Sequence, residues 1–534
     1  MKKLSRRTFL TGLSGVLLVP ALPKWTSSQR VVSFQVDLTR TLGPCDPAIW
    51  ANIGYDPIYA VTIRPENQPF WELVRESEAF RYIRCHNAFS DGRPGDPWPY
   101  GCRVYSEDAE GNPRYNWRYL DQVLDIWVRA GLKPILETDF MPDALAEGPI
   151  VRNYSYGAIN TPKDYDKWHD LVYETIRHCL DRYGAQEVRT WYFEVWNEPD
   201  LKRYFIDGVE RGEPVTPEKI ERFCKMYDYF AAGAKAADPQ IKVGGPAIAG
   251  NEQYFRAFLN HCVRGRNHAT GGRGTPIDFI SWHGYGTTES IRQKNQRMQQ
   301  IVREFPELTG VELQQNEWGQ RLRRRTESIY SEYEACFLCR SLDLVFHDPS
   351  ARVDKFLRWG QPTGGIGRGG WRALTFDLGG TLIKLPIFLA YELLAKLGSE
   401  RVQVFGPGLE SEVRGFATRR GFTSTQVLIY HFDETDEEGR GRATPIQVEI
   451  AGLETEVFTL RHYRIDREHS NAYRAWERLG RPLDPTPEQI AAIQAHAQLE
   501  LLEPPQYVEA PHGQLGLSFE LPVNAISLLI LRGE

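Results

Sequence analysis

The chain has 534 residues, 41% of them hydrophobic and 25% charged, with a formal net charge of −6. That is the composition of an ordinary soluble globular protein, long enough to bury a core without a disulfide or metal staple. The small negative charge argues against a nucleic-acid partner, which would favour a basic face.

The N-terminus carries Lys2, Lys3, Arg6 and Arg7, then a mildly apolar stretch from Thr8 to Leu22 that is too short to span a bilayer. Ser5-Arg-Arg-Thr-Phe-Leu10 matches the twin-arginine pattern. Residues 1–28 are therefore expected to be an export signal cleaved between Ala21 and Ser28. The mature protein would then be periplasmic or extracellular, with no stable membrane insertion. The eight cysteines are scattered rather than framed for disulfides. Cys336 and Cys339 have CxxC spacing but sit in a helix-like stretch without a second ligand pair, so core packing is expected rather than zinc.

Residues 29–46 include Ser33-Phe-Gln-Val-Asp37, an alternating run expected to join a C-terminal sandwich. From 47 to 398, short β-like runs alternate with helical periodicity. Strand candidates are Ala48 to Ile53, Phe80 to Cys85, Lys133 to Thr138, Trp191 to Val195, Lys242 to Gly245, Asp278 to Ser281, Val311 to Gln315 and Val353 to Leu357. Between them, Leu120, Val123, Leu124 and Trp127 recur at helical spacing. So do Trp168, Leu171, Val172, Ile176, Cys179, Leu180 and Tyr183, with Gly184 placed as a cap. Eight β-α units predict a parallel (β/α)8 TIM barrel in the α/β class. Residues 399–534 alternate like a β-sandwich accessory domain, with a helical insertion at 471–500 that contains Thr486-Pro-Glu-Gln as a helix N-terminal signal. The acidic stretch Asp433 to Glu438 is expected to be a solvated hairpin loop.

The chemistry is expected where strands end, because the C-terminal ends of barrel strands face the active site. Trp191-Tyr-Phe-Glu-Val-Trp-Asn-Glu-Pro-Asp200 runs a strand into Glu198, with Asn197 able to donate an amide to a substrate hydroxyl. Val311-Glu-Leu-Gln-Gln-Asn-Glu-Trp-Gly319 runs another into Glu317, and leaves Glu312 at the bottom or outside of the barrel. These are the fourth and seventh strands, on opposite sides of the mouth. Two facing carboxyls suit glycoside hydrolysis: one protonates the leaving oxygen while the other, ionised, attacks the anomeric carbon. Other strand ends bring His86 with Asn87, Glu137 with Asp139, His283 with Tyr285, and Trp359, while Arg84 could orient a carboxylate from inside. The histidines lack metal-ligand spacing, so neither metal nor cofactor is expected.

These segments together resemble glycoside hydrolase family 39, the family of β-xylosidases and α-L-iduronidase. The resemblance is carried by Tyr82-Ile-Arg-Cys-His86, Phe140-Met-Pro142, Trp191 to Asp200, Lys242-Val-Gly-Gly-Pro246, Asn316-Glu-Trp318 and Tyr463 to Asn471. It implies a barrel plus β-sandwich and a retaining double displacement on an oligosaccharide or glycoside. It also implies Glu198 as acid/base, Glu317 as nucleophile, and sugar contacts from His86, Asn197, His283, Tyr285 and Trp359. An exo-acting, β-xylosidase-like activity is favoured; a β-glucoside, an arabinose-containing oligosaccharide or a uronic-acid glycoside is the alternative. A non-catalytic carbohydrate-binding protein is the reading from another class, and both intact glutamate motifs speak against it. One departure stands out. The β-xylosidase members carry an acidic pair after the eighth strand, whereas this chain has no Asp or Glu between Asp354 and Asp377. The Gly-rich loop 360–370 there holds Arg368, which could meet a carboxylate or simply solvate the turn.

Overall fold

The computed structural model describes residues 31–533 apart from 94, 96–98, 211, 322–326 and 365–371. The expected signal peptide and Arg368 lie outside the described residues. Eight parallel strands form one sheet in chain order: β1 (Asn52–Tyr55), β2 (Tyr82–Cys85), β3 (Lys133–Glu137), β4 (Tyr192–Glu194), β5 (Lys242–Ile248), β6 (Phe279–Tyr285), β7 (Glu312–Gly319) and β8 (Lys355–Arg358). The sheet closes through a parallel bridge between Gly54 and Trp359, with Gly360 N donating to Gly54 O at 2.7 Å. Glycine is needed at 54: a Cβ there would lie 2.4 Å from both Leu357 Cδ2 and Trp359 Cε3.

The outer ring is α1 (Gln68–Ser77), α2 (Arg118–Arg129), α3 (Tyr165–Tyr183), α4 (Pro217–Ala237), α5 (Glu252–Arg264), α6 (Thr288–Val302), α7 (Glu332–His347) and α8 (Pro386–Leu394). The apolar stripe of α2 is buried as its spacing predicts. In α3, Asp164 caps the start by accepting from Asp166 N and Lys167 N, and Gly184 ends it with φ 84°. Cys336 and Cys339 are buried free thiols on α7. At the bottom of the barrel Glu312 accepts from Tyr192 OH (2.8 Å) and pairs with Lys355 (3.0 Å).

The accessory strands form a single ten-stranded sheet. Its order is Glu500–Leu501, Val457–Ile465, Ala525–Gly533, Ser424–His431, Val413–Arg420, Glu400–Phe405, Val32–Pro44, Thr444–Ala451 and Gln514–Leu521, with Gln506–Glu509 also pairing Val457–Ile465. The sheet curls over a core of its own that includes Phe34, Val36, Val448, Leu517 and Leu529. Its other face joins the barrel core: Phe416, Leu428, Phe432 and Ile526 pack in the same cluster as α7. Buried ion pairs pin the contact. Arg414 Nε meets Asp343 of α7 at 2.5 Å, and Arg474 with Asn471 holds Glu332 at the start of α7. In the helical insertion, Thr486 and Gln489 form a capping box.

Two segments differ from expectation. The Gly-rich stretch after β8 is bracketed by a small sheet, in which Ala373–Leu378 pairs with both Gln361–Gly364 and Thr381–Lys384. Arg372 ties it to the mouth, donating to Trp359 O (2.9 Å) and Gln320 O (2.7 Å). The acidic stretch is not free in solvent. Glu434 accepts from Thr288 N (2.9 Å) and Oγ1 (3.0 Å), a carboxylate placed on the positive end of α6.

Candidate active site

Glu198 sits just past β4 in a left-handed backbone conformation (φ 44°). Its N–H is held by Ala247 O at 3.0 Å. Two residues on, buried Asp200 accepts three backbone N–H groups, from Ala249, Gly250 and Asn251, each at 2.9 Å. Those four bonds clamp the Trp-Asn-Glu-Pro-Asp turn onto the end of β5 and the segment that follows it. The carboxyl of Glu198 meets His283 Nδ1 at 3.0 Å through Oε1, and Arg203 Nη2 lies 3.5 Å from Oε2.

Glu317 lies within β7, not after it, and so do His283 and Tyr285 within β6. The β6–β7 register shifts between Gln315 and Glu317, an irregularity at Asn316. It brings two successive side chains inward: Asn316 Nδ2 donates to Glu194 at 2.8 Å, and Glu317 reaches the mouth. Tyr285 OH donates to Glu317 Oε1 at 2.7 Å, and Arg84 Nη1 donates to Oε2 at 3.1 Å. One oxygen of Glu198, one of Glu317 and a ring nitrogen of His283 all lie within 4.8 Å of one another.

Below them Arg84, fully buried, binds three carboxylates: Glu194 (2.7 Å), Glu137 (2.5 Å) and Glu317. It also donates to Asn197 Oδ1 at 3.3 Å, which fixes the amide so that its N–H2 is free to donate. His86 Nδ1 meets Glu137 at 2.7 Å, its Nε2 lies 3.4 Å from Glu317, and its ring packs on Trp359 with centroids 4.5 Å apart. The structure therefore brings all seven expected site residues to one place.

The electrostatics follow from burial and pairing. Burial alone would raise the Glu317 carboxyl, but His283, His86 and Arg84 outweigh it and hold that group well below the carboxylate range. Burial alone would likewise lower His86, yet Glu137 and Glu317 hold its imidazolium well above the usual value. Two triads among the described residues bring metal-ligand atoms together, His86–Glu137–Asp139 and Glu198–His283–Glu317. Arg84 already supplies a cation to both, through Glu137 and Glu317.

Three contributors were not singled out from sequence. Glu194 anchors Arg84, Ser281 and Asn316. Asp56, just past β1, accepts from Asn87 Nδ2 at 2.8 Å, and burial pushes its carboxyl up to about 6. Arg203 flanks Glu198. Alternation along β4 puts Tyr192 and Glu194 on one face, so Glu194 was open to detection; nothing local marks Arg203.

The model for glycosyl hydrolases family 39 matches residues 32–506. The chain belongs to glycosyl hydrolase family 39. Family 39 relatives include a β-xylosidase of Geobacillus stearothermophilus, 28% identical over 489 residues, which span 86% of this chain and 87% of the relative. The α-L-iduronidase of Mus musculus is 26% identical over 459 residues, 78% of this chain and 68% of that one. The crystal structure of a monomeric β-xylosidase from Caulobacter crescentus shares the fold, with a TM-score of 0.76 at 24% identity over 94% of this chain and 100% of that one. A family 39 protein with this mouth is a glycosidase.

Proposed function

We propose that this family 39 enzyme is a retaining, exo-acting glycoside hydrolase of β-xylosidase type, with Glu317 as nucleophile and Glu198 as acid/base. The observation that carries the retaining reading is the carboxyl spacing. One oxygen of each lies within 4.8 Å, close to the roughly 5–5.5 Å of retaining enzymes. Inverting enzymes need about 6.5–9.5 Å to admit a water.

In the first step Glu198 gives its proton to the glycosidic oxygen as Glu317 attacks the anomeric carbon. The carbon–oxygen bond breaks, the leaving sugar departs with the proton, and a glycosyl ester forms on Glu317. In the second step Glu198 takes a proton from water, the water attacks the same carbon, and Glu317 is released. The surroundings of Glu317 serve that role, because the cations that hold its carboxyl low keep it ionised, and Tyr285 and Arg84 orient its two oxygens. Trp359 and His86 offer a ring face to the glycone, while the Asn197 amide and Asp56 carboxyl offer hydrogen bonds to its hydroxyls.

The β-xylosidase relatives support a xyloside. A different glycone is the second reading, favoured by the absence of any Asp or Glu between Asp354 and Asp377. A dinitrophenyl 2-fluoro-xyloside tests roles and sugar together. It should inactivate the enzyme and label the peptide carrying Glu317. Glu198→Ala should keep turnover only on activated aryl xylosides and recover it with azide. A label on another residue, or full activity in Glu198→Ala, contradicts the assignment. Export is part of the same proposal, supported by Ser5 to Leu10; replacing Arg6 and Arg7 by Lys should leave the enzyme active but unexported.

A further inference from the structure

A cavity of about 930 Å³ opens against His283 and Tyr285, the side chains that hold Glu198 and Glu317. Its walls come from both parts of the molecule. Lys294 and Arg297 of α6 and Arg321 beyond β7 line it from the barrel, and Glu434 and Glu437 line it from the accessory sheet.

The charges in it are unequally engaged. The Glu434 carboxylate is committed to the first turn of α6 through Thr288 N and Oγ1. Lys294 Nζ donates to Ala249 O at 3.2 Å and makes no ion pair among the described residues. Burial pushes its ammonium down and Arg297 adds to that, while Asp200, Glu252 and Glu198 offset only part of it. On the other flank of Glu198, Arg203 has no acidic partner among the described residues except Glu198 itself, at 3.5 Å. A partly desolvated cation without a counterion is better paired than left alone, and the group it pairs best with is an anion. His283 adds an unpartnered buried Nε2 to the same wall.

The acid that protonates the glycosidic oxygen must lie beside the leaving group. Glu198 itself does not line this cavity, but His283, which does, holds the Glu198 carboxyl at 3.0 Å, so the cavity adjoins the acid on the reading of Glu198 as that group. We infer that the cavity is the leaving-group subsite and that it takes an acidic sugar residue, whose anionic group is received by Lys294 with Arg321 at the rim. A hexuronate carboxylate and a sugar sulfate share that chemistry. The accessory sheet contributes through Glu434, which fixes the start of α6, the helix that presents Lys294.

The test compares disaccharides with one glycone, β-xylosyl, and three reducing-end residues: glucose, glucuronate and glucose 6-sulfate. Hydrolysis of the neutral disaccharide and of a nitrophenyl xyloside tests the glycosidase reading alone. The subsite is tested by the ratio of kcat/KM for the acidic over the neutral disaccharide. That ratio should be about tenfold at low salt, the order of one charge-assisted hydrogen bond. It should fall towards one in Lys294→Gln and return in Lys294→Arg. Preference for glucuronate or for the sulfate identifies which source of the anion the subsite takes. A wild-type ratio at or below one for both, or a raised ratio that Lys294→Gln leaves in place, overturns the inference.

Discussion

Three buried glutamates, Glu137, Glu194 and Glu317, share the guanidinium of Arg84, and His86 adds a second positive charge to the same layer. Replacing Arg84 by Met strands the carboxylates in a dry site. The expected cost is about 3–5 kcal/mol of stability. The acid limb of kcat/KM should also move to higher pH, because burial then raises Glu317 against fewer cations; a pH–rate profile reads this directly. Asp56 is a different case, since its carboxyl takes no part in the Arg84 cluster: it accepts from Asn87 Nδ2, and the proposed function gives it a glycone hydroxyl as well. Asp56→Ala should lower kcat/KM about 10–100-fold, the worth of one or two hydrogen bonds to a charged group. The variant should also cease to distinguish the parent glycoside from the analogue lacking the hydroxyl that Asp56 receives. If it still discriminates against every ring-deoxy analogue as the wild type does, Asp56 does not bind the glycone.

At the scale of elements, the parts that could be read in the sequence are those set by local periodicity. Strands β2, β3 and β4 and helices α2 and α3 lie within a few residues of the apolar patterns that predict them. Glu198 and Glu317 were legible because each lies at the C-terminal end of a strand-like run in a recognisable motif, Glu198 just past β4 and Glu317 near the end of β7. What was not legible depends on contacts distant in sequence. The irregularity at Asn316 extends β7 past Glu317 by pairing with β6, and β6 likewise continues through His283 and Tyr285. The acidic run at 433–438 looks solvated until Thr288 supplies two donors to Glu434. The join between α7 and the accessory sheet is of the same long-range kind. There Asp343 is fully buried, and although burial alone would raise it, His347 and Arg414 together pull it down to about 2. The sign follows: stability from Asp343, about 2 kcal/mol, is present above its unfolded value near 4 and lost as pH falls towards 2. Arg414→Met should cost about 3 kcal/mol in urea unfolding and flatten that acid dependence. An unchanged urea midpoint would mean that the pair does not secure the join.

At the scale of the whole molecule, barrel and accessory sheet share one apolar core. Phe416, Leu428, Phe432 and Ile526 of the sheet pack in the same cluster as Phe337 and Leu338 of α7. The N-terminal strand Val32–Pro44, which precedes the barrel in the chain, pairs with Glu400–Phe405 and Thr444–Ala451, which follow it. Both ends of the barrel are thereby tied into one sheet. Removal of residues 399–534 would expose this surface, so a barrel expressed alone should be insoluble, and the full chain should unfold in one transition when followed by tryptophan fluorescence and far-UV circular dichroism together. Two separated transitions would show that the accessory sheet folds independently.

The central claim is that Glu198 and Glu317 carry out two displacements at one anomeric carbon. Proton NMR of the product first released from a β-xyloside, recorded before mutarotation, tests it most directly. The account predicts the β anomer of xylose, with the configuration kept; the α anomer, formed by single inversion, would contradict it.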